Sequence, residues 1–149
     1  MAIYASFKGQ KQGEIKGGVT TKGWEGKVQI DTCDFGLTAP YDTATGLASG
    51  RRVAKPVHLT KPLDKSSPLL YMACTTNETL QVEINYMEEG ANHKALVIVK
   101  LTNAMLREFS HTANGHAIAS EKLALTYTKF EFTWCDGGIM ATDDWMNPT

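Results

Sequence analysis

Alternation of apolar and polar residues opens the chain, with Ile3, Ala5 and Phe7 on one parity and Tyr4, Ser6 and Lys8 on the other. That period of two predicts a strand with one buried face. Residues 9–23 are polar and rich in turn formers. In the next apolar stretch Val28 and Ile30 share one parity and Cys33 and Phe35 the other, so the inward face changes near Asp31 and Thr32, as a bulge would cause. Leu80, Val82, Ile84 and Tyr86 against Gln81, Glu83 and Asn85 predict a half-buried strand. Residues 95–101 are apolar on both parities except Lys100, which predicts a strand covered on both faces. Residues 123–134 switch phase, from Leu123, Leu125 and Tyr127 to Phe130, Phe132 and Trp134. Bends of this kind curl a sheet toward a barrel. One helix interrupts the strands. Ser67-Pro68 reads as its start, because a proline in the first turn forfeits no helical hydrogen bond. Leu69, Met72 and Ala73 then form the stripe expected to face the sheet or plug the barrel mouth.

The segment Thr38, Ala39, Pro40, Tyr41, Asp42, Thr43, Ala44, Thr45, Gly46, Leu47, Ala48, Ser49 and Gly50 has no apolar period and reads as one long exposed loop. Loops of that length inside a compact domain are usually functional or disordered. A chain of 149 residues, 42% hydrophobic, can bury roughly 70% of its unfolded surface, so one domain suffices. No repeat or second-domain boundary is visible.

Charge and chemistry narrow the function. A net charge of −1 gives no reason to expect binding to nucleic acid or an anionic membrane, and with no run near the roughly 20 apolar residues of a span no membrane insertion is expected. Residues 1–65 hold ten Lys/Arg and six Asp/Glu (+4) and residues 66–149 five and ten (−5), an asymmetry suited to head-to-tail association or to a merely solvated surface. The N-terminus lacks the apolar run of a secretory signal, so the expectation is synthesis as a soluble cytoplasmic protein. Cys33, Cys74 and Cys135 are far apart and lack CxxC pairing, which predicts reduced, buried thiols and no metal site. Gly26-Lys27-Val28 is not a phosphate-binding loop, and GxSxG and HExxH are absent. His58, His93, His111 and His116 have no ligand spacing and read as surface or strand residues. Glu88-Glu89 and Asp143-Asp144 read as solvated pairs, while Trp24, Trp134 and Trp145 read as core residues. No catalytic residue and no cofactor is assigned.

Ordered motifs then resemble one family over nearly the whole chain: IYASFKG, the KGW at Lys22, SGRR at Ser49, TKPLDKSSPLLYMA at Thr60, FTW at Phe132 and DDW at Asp143. This is similar to the haemolysin-coregulated (Hcp) tube proteins of bacterial type VI secretion systems. The resemblance implies a mainly β fold, a β-barrel of two curved antiparallel sheets with one short α-helix, that closes into homohexamer rings stacking into tubes. It further implies assembly in the cytoplasm with a contractile sheath and a spike protein, export without a signal peptide, and small effector proteins carried in the lumen. By the same resemblance the 38–50 loop, with Arg51 and Arg52 behind it, reaches the next ring. Thr32 and Asp34 become candidates for lumen and effector contact, and Asp64 and Lys65 for the turn before the helix. A phage-tail-tube-like protein, a monomeric barrel for a small apolar ligand and an enzyme are the alternatives. They are separated by gene neighbours, by a roomy interior and by converging titratable groups, respectively.

Overall fold

Each strand follows from the period its residues set. In the computed structural model, which describes residues 1–90 and 94–144, β1 (Ile3–Gly9) buries Ala5 and Phe7 and pairs along one edge with β8 (Thr79–Met87). Its other edge is shared by β2 (Gly13–Ile15) and β3 (Val28–Ile30). β2 arises in the stretch whose polarity suggested only turns, and Ile15 anchors it in the core. Glu78 fixes the β1–β2 turn by accepting hydrogen bonds from Lys11 N (3.0 Å) and Gln12 N (2.8 Å). Burial raises the proton affinity of that carboxylate, but these amides and the Gln12 side chain outweigh it and hold the group below the usual range.

The phase change at Asp31 is a change of partner. β3 pairs with β1, whereas β4 (Thr32–Asp34) pairs with β7 (Val57–Pro62), and Asp31 N donates to Thr60 O (2.7 Å) at the joint. One bent stretch thereby closes the sheet: β1, β8, β9 (Ala95–Thr112), β10 (Ser120–Thr126), β7, then β4 and β3 back to β1. The fold is mainly β, with two antiparallel sheets. Ten strands form the closed one, and β5 (Leu37–Thr38) with β6 (Val53–Ala54) forms the other.

The second phase change has a backbone cause. β10 pairs with β9 through a one-residue shift between Ala124 and Leu125, and from Leu125 on it continues into β11 (Lys129–Trp134) in one register, Thr126 opposite Met105 and Lys129 opposite Thr102. Between those pairs Asn103 adopts φ +51°, a left-handed conformation that asparagine tolerates better than most residues. Its side chain donates to Thr128 Oγ1 (3.3 Å). Both strands therefore change faces together, β9 from Val97, Val99 and Leu101 to Ala104 and Leu106, β10–β11 from Leu123 and Leu125 to Phe130.

Helix α1 (Ser67–Thr75) has Ser66 at its N-cap and closes the barrel end reached by the last residues of β7. Its inward stripe is Ser67, Leu70 and Ala73; Leu69 and Met72, expected to face the sheet, are exposed instead. The rotation has an electrostatic cause. Lys61 and Glu121 are both buried on the core parity of β7 and β10, with Lys61 Nζ donating to Glu121 Oε1 (2.6 Å) and to Ser67 Oγ (3.0 Å). Ser67 Oγ donates to the same carboxylate oxygen (2.6 Å), and His111 Nδ1 lies 2.8 Å from the other. Turning Ser67 outward would leave this buried pair short of a hydrogen bond. Asp64 accepts from Ser66 N (2.9 Å) and lies 3.3 Å from Lys61, so it is the expected turn residue and an ion-pair partner as well.

Candidate assembly surfaces

The 38–50 loop is exposed, as expected, yet it is not structureless. β5 and β6 pair at its base, Tyr41 bridges Ala48, and Asp42 shapes the tip by accepting from Ala44 N through Oδ1 (2.8 Å) and from Gly46 N through its carbonyl (2.7 Å). The result is a hairpin arm standing off the barrel. Tyr41 is 63% and Leu47 68% exposed, and Val53 is exposed at the base. Exposed large apolar side chains in one place mark surfaces that other chains cover.

Arg52 is engaged within its own subunit. Its Nε lies 3.0 and 2.9 Å from the two carboxylate oxygens of Asp143, and a terminal guanidinium nitrogen also pairs with that group. Asp143, read from sequence as solvated, is held below the usual carboxylate range, chiefly by the Arg52 hydrogen bonds. Asp143 belongs to β12 (Ile139–Asp144), so the pair ties the base of the arm to the β11–β12 hairpin. Arg51 is exposed beside it.

That hairpin forms a wing that carries the core face of β9 beyond the barrel. Cross-strand partners share a face, and along the row Val97, Trp134, Ile139 the exposure rises from 8% to 44% to 70%. Trp134 is thus not a core residue, whereas Trp24 is half-buried, its ring 6.1 Å from Tyr4; Trp145 and His93 lie outside the described residues. Between wing and arm lies a cavity of about 290 Å³ lined mainly by Phe35, Leu37, Ala54, Tyr127, Phe130 and Phe132. Phe35 packs at 5.1 Å from Phe130 and 5.4 Å from Phe132. The other parity of residues 95–101 places Ile98 half-buried on the outer face, with Lys100 exposed, whereas half-buried Leu96, at the register shift opposite Tyr86 and Met87, packs against the core.

Thr32 and Asp34 are exposed, while Cys33 and Phe35 pack against the core. The partners Thr60 and His58 on β7 extend the same polar outer face. The three cysteines are free and half-buried rather than fully buried. Sequence reasoning missed Lys61, Glu121 and His111 as a group, although Glu121 shares its parity with Leu123 and Leu125, and Lys61 with Val57 and Leu59. A charge in an apolar parity was the visible sign.

The molecule is thus a closed barrel that carries an arm and a wing, each with exposed apolar side chains. Residues 4–134 match the family described as "Type VI secretion system effector, Hcp". The chain is 31% identical to the "Major exported protein" of Pseudomonas aeruginosa PAO1, over 97% of this chain and 95% of that protein. Among solved structures it is similar to Hcp1 of E. coli EAEC 042 (30% identity, TM-score 0.87, 97% and 99% of the two chains). It is also similar to the secreted protein Hcp3 of P. aeruginosa (29%, 0.77, 96% and 99%). The chain belongs to the Hcp family and is a type VI secretion protein.

Proposed function

We propose that six copies of this chain close into a ring, and that rings stack into the expelled inner tube of a type VI apparatus. The tube assembles in the cytoplasm inside the contractile sheath and beneath the spike protein, and leaves the cell through that apparatus. The observation that carries this reading is the pair of bare apolar surfaces. The wing supplies a lateral contact, its Trp134–Ile139 face covered by the neighbouring subunit, and the arm of residues 38–50 supplies the contact between rings. A specific lateral interface should bury about 1,000 Å² or more, and the wing face, the cavity beside it and the arm base are contiguous enough to contribute to that area. Arg52 then positions the arm through Asp143, leaving Arg51 as the guanidinium directed at another ring. The polar face bearing Thr32 and Asp34 lines the lumen, where small effector proteins are held without the adhesion an apolar wall would impose.

Native mass spectrometry at micromolar concentration should give a hexamer, and Trp134→Asp should convert it to monomer with the barrel still folded by circular dichroism. A wild-type chain that stays monomeric would remove the reading altogether. Thr32→Trp should leave rings intact and lower effector pull-down; broken rings would instead place Thr32 between subunits.

A further inference from the structure

Of the asparagines in the chain, at 77, 85, 92, 103, 114 and 147, Asn114 is the one followed by glycine. The following residue matters because its backbone nitrogen can attack the asparagine side chain and close a succinimide ring, a closure that a side chain on that residue obstructs. Asn114 and Gly115 lie in the connection from β9 to β10, where residues 113–118 are all exposed and none is in a strand. A Cβ placed on Gly115 would meet nothing within 4 Å, so the attacking atom stands in open space.

Local geometry sets up the attack. Asn114 Oδ1 accepts a hydrogen bond from His116 N (2.9 Å), which folds the asparagine side chain along the backbone ahead of it. The Gly115 nitrogen is one of the atoms inside the ring closed by that bond, and among the described residues it donates to no acceptor. The His116 N–H also draws electrons from Asn114 Cγ and sits where negative charge develops when a nucleophile adds there. The other described asparagines are placed differently. Asn85 and Asn103 lie inside β8 and β9, and after Asn77 the Glu78 nitrogen is committed to Ala73 O (3.0 Å). Asn147 precedes a proline, which has no N–H to lose.

We infer that Asn114 is a site of spontaneous deamidation, where the chain converts itself in water to a form with aspartate or β-linked isoaspartate. Hydroxide takes the Gly115 amide proton, the nitrogen attacks Asn114 Cγ, and the Cγ–Nδ2 bond breaks as ammonia leaves with a proton from water. Water then opens the imide. Addition at Cγ restores the ordinary peptide link and leaves an aspartate; addition at the main-chain carbonyl leaves the chain running through Cγ. Either product takes the formal net charge from −1 to −2. The β-linked form also lengthens the backbone, which an exposed connection outside the strands accommodates. The reaction belongs to the single chain and needs no ring, and the charge of the protein records its age.

The test incubates the purified, folded chain and follows one peptide by mass spectrometry. Trypsin releases residues 108–122 between Arg107 and Lys122, and Asn114 carries the only side-chain amide in that peptide, so replacement of its NH2 by OH assigns the site. The rate should be about tenfold higher at pH 8 than at pH 7, since the deprotonated share of so weak an acid follows hydroxide. An isoaspartyl methyltransferase with radiolabelled S-adenosylmethionine should label aged chain and not fresh chain. Gly115→Val should slow the gain about tenfold or more by obstructing the closure, and Gly115→Ala should slow it less. Circular dichroism of both variants should match the unsubstituted chain. A 108–122 peptide that stays unchanged in the folded chain, whether or not the chain in urea converts, would overturn the inference. So would a gain that appears first at Asn77, Asn85 or Asn103, or a gain at Asn114 that Gly115→Val leaves undiminished.

Discussion

Lys61 and Glu121 show what a single residue's position can decide. Removing one member of a buried ion pair leaves the other uncompensated, so Lys61→Met should cost about 3–5 kcal/mol by urea denaturation. Lys61→Met with Glu121→Leu should recover part of that loss, because an apolar pair needs no partner. Glu121 is pushed up by burial but held below the usual range overall by Lys61, Ser67 and His111. Glu78 and Asp143 are also depressed. A carboxylate whose folded pKa is lowered adds stability above its unfolded pKa, about 4, and loses it as pH falls through the lower folded value. The urea midpoint should therefore be flat between pH 5 and 7 as far as these groups are concerned, and should drop below about pH 4. None of the three was legible as a special carboxylate. Glu121 had an apolar parity to betray it, but Glu78 depends on a turn 66 or 67 residues away in sequence.

The strand elements were readable wherever one face was buried, and both phase changes, at Asp31 and after Tyr127, correspond to places where the sheet bends. The helix start was found to within a residue, its N-cap being Ser66 and not Ser67, but the helix is turned. Leu69, Leu70, Met72, Ala73 and Cys74 satisfy two stripes at helical spacing, and only the Ser67 hydrogen bonds choose between them. Leu70→Ala should consequently cost about 2–5 kcal/mol, a buried large-to-small change, whereas Leu69→Ala should stay within about 0.5 kcal/mol, as exposed substitutions usually do. Asn103 offers a second check. Asn103→Gly should be tolerated and Asn103→Val should lose about 1–2 kcal/mol, since a branched side chain is forced into the left-handed region.

For the molecule as a whole, the barrel was legible and its appendages were not. Two-residue strands such as β5 and β6 carry no period to detect. The wing misled for a different reason: Phe130, Phe132 and Trp134 continue the parity of a core strand, and a pattern in one dimension cannot tell that the sheet runs past the edge of the barrel. Arg52→Ala should leave rings and fold intact, because a partly exposed pair contributes on the order of 1 kcal/mol or less, yet weaken stacking by freeing the arm from Asp143. Sedimentation of tubes against rings reads the difference.

The register that β9 shares with the end of β10 and with β11 also governs how the gene can change in length. One residue gained at 127–128 would slide β11 along β9, exchanging the faces of Phe130, Phe132 and Trp134 and leaving the barrel half of the hairpin in place. The same gain at 113–118, an exposed connection, displaces nothing that is paired. A library of single-residue insertions scored for folded protein should therefore accept additions at 113–118 and at the arm tip and reject them at 127–128. Descendants of this chain are free to lengthen at the ends of its long hairpin and are held to a fixed count along its middle.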